Sequence, residues 1–135
     1  MITLRFPDAE GEPAPDEDEE KHCAELGLRH HRIRPGVWSG PGAVPASESI
    51  DRFLRVVGDP EAYPILIHCF AGIHRTGAYC AIYRMERNGW HPEQALREMR
   101  ECGYTNLGRE WDVSTYLREY EARGLLGLKT GASAR

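Results

Sequence analysis

At 135 residues, 41% hydrophobic and 28% charged, the chain has the makeup of one globular domain and is too short for two ordinary ones. A formal net charge of −4 argues against a nucleic-acid-binding surface, so any anion site has to be local. No apolar stretch reaches the length of a membrane span, the acidic opening is unlike a secretory signal, and Cys23, Cys69, Cys80 and Cys102 form no Cys-x-x-Cys pair. Free thiols in a cytoplasmic setting are therefore expected, with no metal, cofactor or membrane partner.

Ile2 to Phe6 alternates apolar and polar positions, which predicts a short strand, and the acidic, Pro- and Gly-containing stretch from Pro7 to Glu20 reads as a solvated loop. Glu17 to Leu26 allows a helix closed by Gly27, and His30 to Arg34 a second strand ending at Pro35. Three prolines and three glycines mark Arg34 to Pro45 as a long connection. Ser47 or Ser49 can then cap a helix with Ile50, Phe53, Leu54 and Val57 on one face, broken at Gly58-Asp59-Pro60. Pro64 to His68 is a short apolar run of the kind buried on both faces of a parallel sheet, and is expected to be its central strand. Further helices are expected from Ala78 to Arg87, ended by Asn88-Gly89, from Pro92 to near Gly103, and from Glu110 to Arg123. Strands alternating with helices predict an α/β fold, a mainly parallel sheet flanked by helices, over residues 1–127, with 128–135 a flexible tail.

The segment after the apolar strand, His68-Cys69-Phe70-Ala71-Gly72-Ile73-His74-Arg75-Thr76-Gly77, sits where open α/β sheets bind ligands. The following helix turns unpaired N–H groups and a positive dipole end toward an anion. That dipole and a nearby guanidinium favour the thiolate of Cys69; comparable cysteines have pKa values of roughly 3.5–7.5. The backbone of Phe70, Ala71, Gly72, Ile73 and His74 can wrap one tetrahedral oxyanion, Arg75 can donate a fork of two hydrogen bonds to it, and Thr76 can donate to the sulfur. A strand-end cysteine alone is commonly core packing. Six specified residue types in register are expected by chance on the order of once in ten million start positions, which favours chemistry over packing.

These residues resemble the His-Cys-x5-Arg-Thr-Gly signature of the protein tyrosine and dual-specificity phosphatases, nearest the compact atypical dual-specificity type. The resemblance implies the cysteine phosphatase fold and hydrolysis of phosphate monoesters, of phosphotyrosine or a similar phosphoester on a protein or small molecule. It implies a cysteinyl-phosphate on Cys69, phosphate held by Arg75 and the loop amides, departure of the thiolate eased by Thr76, a loop oriented by His68, and no metal. Two other readings are a pseudophosphatase that binds phosphorylated partners and a sulfurtransferase of rhodanese type, although the Arg75-Thr76-Gly77 ending fits phosphatases better.

The pattern departs from the family in two places. The stretch equivalent to its acid-bearing loop, Arg34 to Pro45, holds no carboxylate. Asp51 is the nearest upstream aspartate and the candidate general acid, though an early helix position also suits the helix dipole. Asp112, Glu110, His30 and His31 are weaker candidates. The family also carries β structure before the strand that Ile2 to Phe6 resembles, so either Met1 is an internal start in a longer protein or the sheet is shortened, with a more exposed edge. Trp38 can stack on an aryl substrate or anchor its loop. Cys80 and Cys102 read as core, Cys23 as core or as a partner for oxidised Cys69, and Asp16 to Glu20 as a solvated face.

Overall fold

The structure is a computed structural model that describes residues 1–7, 11–36, 44–105 and 111–124. Three short parallel strands, β1 (Ile2–Thr3), β2 (His31–Arg32) and β3 (Ile67–His68), lie in the order β2-β1-β3. Five helices accompany them among the described residues: α1 (Glu17–Glu25), α2 (Val44–Gly58), α3 (Arg75–Asn88), α4 (Pro92–Glu101) and α5 (Trp111–Glu119). The expected α/β architecture with a parallel sheet flanked by helices is the observed one.

The middle strand is β1, not β3. Ile2 N and Leu4 N donate to the carbonyls of Leu66 and His68, while His31 N and Ile33 N donate to those of Met1 and Thr3. An apolar run signals burial, but which strand lies innermost is set by pairing with distant residues, which local pattern does not encode. As one of the two edge strands of the described sheet, β3 is only part-buried, and Leu66 beside it is 61% exposed.

Alternation along β1 divides the interior. Ile2 and Leu4 enter the main core, which also holds Ile33, Ile50, Phe53, Leu54, Tyr79, Ile82, Met85, Leu96, Met99, Val113 and Leu117. Thr3 is equally buried but points to the opposite face, where its hydroxyl meets the Asp16 carboxylate. Cys23 of α1 is buried apart from the main core.

The helices follow their punctuation. Gly27 (φ 68°) and Gly89 (φ 65°) adopt the left-handed conformation after α1 and α3, and Pro92 opens α4 behind a reciprocal His91/Gln94 cap. One boundary differs. The helix expected to start at Ser47 or Ser49 begins at Val44, because a proline at position 45 falls in the first turn, where no N–H is needed. Ser49 is consequently a buried helix residue, whose Oγ accepts from Gly36 N at 3.3 Å and from the Tyr79 hydroxyl at 2.8 Å. The tail, Trp38 and Glu110 lie outside the described residues. No described helix is long and apolar enough to cross a membrane.

Candidate active site

The loop from Cys69 to His74 leaves the carboxyl end of β3 and runs into α3, which starts at Arg75. Its turn depends on Gly72 at φ +74°, a conformation that costs a side-chain-bearing residue roughly 1–2 kcal/mol. Behind it, Gly77 lets α3 approach α4: a Cβ there would lie 3.2 Å from Met99 Cε.

Cys69 is buried, with 8% of its surface exposed. Burial pushes its thiol up, but the Thr76 hydroxyl and the backbone N–H groups of Thr76, Gly72 and Ala71 all donate toward the sulfur, and the net pKa lies below the ordinary 9.0. The Thr76 oxygen is buried and completes no hydrogen bond of full geometry among the described residues, so the Cys69 sulfur it lies toward is the acceptor it is left to serve. Cys80, by contrast, is pushed up, chiefly by burial and then by Glu98. Two cysteines eleven positions apart are thus separated by whether amides converge on the sulfur.

A cleft of about 360 Å³ opens over Cys69, lined by Arg5, Phe6, Pro15, Cys69, Phe70, Ala71, His74 and Arg75. Arg75 is exposed on its floor, anchored by Nη1 donating to the Leu4 carbonyl at 3.3 Å, so the strand end that precedes the cleft also fixes its guanidinium. The His74 ring lies 5.3 Å from that of Tyr104. Arg5 lies at the carboxyl end of β1, its guanidinium 5.8 Å from the Phe70 ring, which is 87% exposed. Arg5 was missing from the sequence expectations. The available signal was its place at the end of a parallel strand, on the same edge of the sheet as Cys69.

Asp51 stands elsewhere. Its Oδ1 accepts from Arg123 Nη1 at 2.5 Å, and it borders a separate hollow with Leu54, Arg55, Gly58 and Arg123. The candidate acid is thus an ion-pair partner on α2, outside the Cys69 cleft, because its position on the helix directs it toward the chain following α5. Among the described residues no carboxylate lines the cleft.

The acidic run is only partly a solvated face. Asp16 is buried and ion-paired to Arg32, which also donates to Glu20 at 3.0 Å. Glu19 Oε1 lies 2.9 Å from His68 Nε2 and 3.0 Å from His30 Nε2. The signal for this inward face was helical spacing: residues 16, 19 and 23 share one side of α1, and Cys23 is apolar.

A family model described as "DSP-PTPase phosphatase fused to NAD+ Kinase" matches residues 40–114, more than half of the chain and the whole Cys69–Gly77 loop. The chain belongs to this phosphatase family. The dual specificity protein phosphatase TpbA of Pseudomonas aeruginosa is 39% identical over 62 residues, 46% of this chain and 28% of that protein. The inositol diphosphatase DSP5 of Arabidopsis thaliana is 40% identical over 58 residues, 43% of this chain and 26% of that protein. The matched stretches thus span little more than a quarter of these relatives. Among solved structures, the core catalytic domain of the PP-IP phosphatase SIW14 from S. cerevisiae, in complex with citrate, superposes with a TM-score of 0.65 at 22% identity. That alignment covers 93% of this chain and 70% of the other, and it shows the same fold.

Proposed function

We propose that this phosphatase hydrolyses aryl phosphate monoesters, phosphotyrosine or a compound like it, through a cysteinyl-phosphate on Cys69. The observation that carries the reading is the convergence of Thr76 and three loop amides on a buried sulfur with a lowered pKa, beneath a cleft floored by Arg75. Those amides and the Arg75 fork bind the substrate phosphoryl oxygens, so the thiolate meets phosphorus and not a proton. The sulfur forms a bond to phosphorus as the bond to the leaving oxygen breaks. Water then attacks phosphorus, and the sulfur departs as a thiolate that the Thr76 hydroxyl stabilises.

The leaving group follows from what lines the cleft. General acid catalysis contributes about 10²–10⁴-fold, and it matters most for alkoxide leaving groups, which are poor without a proton. With no carboxylate among the described lining residues, an aryl ester, which departs as a phenolate, is the better substrate, and Phe6 and Phe70 offer its ring apolar walls.

A second reading is favoured by Arg5. A diphosphate also leaves readily, as phosphate, and its extra charge would meet a second guanidinium at the rim; one relative is named an inositol diphosphatase. The separating experiment compares p-nitrophenyl phosphate with an inositol diphosphate for the wild type, Arg5→Ala and Cys69→Ser. Loss of both activities in Cys69→Ser is expected. Aryl phosphate as the better substrate, with Arg5→Ala little changed, supports the first reading. A preference for the diphosphate that Arg5→Ala abolishes replaces it with the second. Undiminished turnover by Cys69→Ser refutes both.

A further inference from the structure

We propose that Glu19 is a positioning residue for the nucleophile loop, holding His68 against the backbone of Cys69. The inference rests on Cys69 being the nucleophile. Glu19 lies on α1, 50 positions before Cys69, yet its Oε1 contacts both His68 Nε2 at 2.9 Å and His30 Nε2 at 3.0 Å. The other ring nitrogen of His68, Nδ1, faces the Cys69 carbonyl at 3.3 Å.

Hydrogen-bond chemistry fixes the protons in this chain. A carbonyl oxygen only accepts, so Nδ1 must donate to Cys69. Burial alone would push the Glu19 carboxyl up, but bonds from His68 and His30 and their charges hold it below its ordinary value, so it is an anion that also only accepts. His68 makes both of its bonds only with a proton on each nitrogen, that is, as an imidazolium. Its positive charge then lies against the residue whose sulfur carries negative charge, while Glu19, on the far side of the ring, balances it.

The surrounding charges leave Glu19 to this task. Arg32 on β2 takes Asp16, at the start of α1, and Glu20, the residue directly after Glu19. His30, before β2, is 6% exposed in its side chain and holds the carboxylate from the side opposite β3. The carboxylate is thus gripped by two imidazoles, while the guanidinium is engaged by its neighbours.

The test is the pH dependence of Cys69 alkylation by iodoacetamide, followed by mass spectrometry of the Cys69 peptide, in wild type, Glu19→Gln and Glu20→Gln. Removing the opposite charge beside an imidazolium is expected to raise the alkylation midpoint by roughly 1 pH unit in Glu19→Gln. Its thermal unfolding should stay near that of the wild type. Glu20→Gln removes the same charge one residue away but faces Arg32, and should leave the midpoint in place. An unchanged midpoint in Glu19→Gln, or an equal shift in Glu20→Gln, overturns the proposal. Nitrogen-15 spectra of the wild-type histidines supply a measurement that needs no variant: His68 should carry both ring protons at neutral pH, and a singly protonated ring there would overturn it as well. Neither readout involves substrate, so this inference can fail while phosphatase turnover stands, and the reverse.

Discussion

Thr76→Val is the sharpest probe of how the loop ionises its cysteine, because it removes one donor to the sulfur and keeps the side-chain shape. Burial raises the Cys69 thiol, and the lowered net value therefore depends on the Thr76 hydroxyl and the amides of Thr76, Gly72 and Ala71. A hydrogen bond to a charged group contributes about 1.5–3 kcal/mol, and each pKa unit corresponds to about 1.4 kcal/mol, so losing this donor should raise the thiol midpoint by roughly 1–2 units. The three amides remain, which keeps the variant from showing the full cost of burial. The same shift has a stability consequence of defined sign. A thiol whose folded pKa is depressed adds stability above its unfolded value, and that gain is lost as pH falls through the folded value. Wild type should therefore gain on Thr76→Val as pH rises toward 9.0, the ordinary value, and lose the advantage in acid. Iodoacetamide alkylation against pH and urea unfolding at several pH values measure the two effects. A midpoint in Thr76→Val equal to that of the wild type would refute the reasoning.

Other outcomes follow from separate parts of the fold. Asp51→Asn breaks an exposed pair with Arg123 and should cost under about 1 kcal/mol in denaturant unfolding, with the pH–rate profile unchanged. Disappearance of a falling alkaline limb in that variant would return Asp51 to the role of acid. Leu96→Ala, at a fully buried position on α4, should cost about 2–5 kcal/mol in urea unfolding. Glu86 is fully buried on α3 and accepts from the Tyr120 hydroxyl at 2.6 Å and from Arg123 N at 2.9 Å. Glu86→Ala should cost at least about 1–3 kcal/mol for each stranded donor, and thermal melts that match wild type would contradict this.

What the sequence could disclose depends on whether the residues concerned are neighbours in the chain. The loop from His68 to Gly77 was legible because its nucleophile, turn glycine, guanidinium and hydroxyl are contiguous, so local geometry alone brings them together. Helix ends at Gly27, Gly89 and Pro92 were legible for the same reason. The place of β3 at the edge was not, since its apolar residues say that it packs and the bonds from Ile2 and Leu4 decide where. Nearness in sequence to Cys69 favours Asp51 as the acid, but the turn of α2 takes it to Arg123 instead. Glu19 is not legible because a charged residue in a charged run reads as solvated until the partner across the sheet is known, nor is Arg5, whose place beside Cys69 depends on the pairing of β1 with β3.

The most direct test of the account is to look for the intermediate itself. Wild-type protein mixed with p-nitrophenyl phosphate, quenched in acid within the first turnovers and analysed by peptide mass spectrometry, should carry one phosphoryl group on Cys69 and none on Cys23, Cys80 or Cys102. Steady turnover with no phosphoryl group on Cys69, or undiminished turnover by Cys69→Ser, would contradict the covalent mechanism.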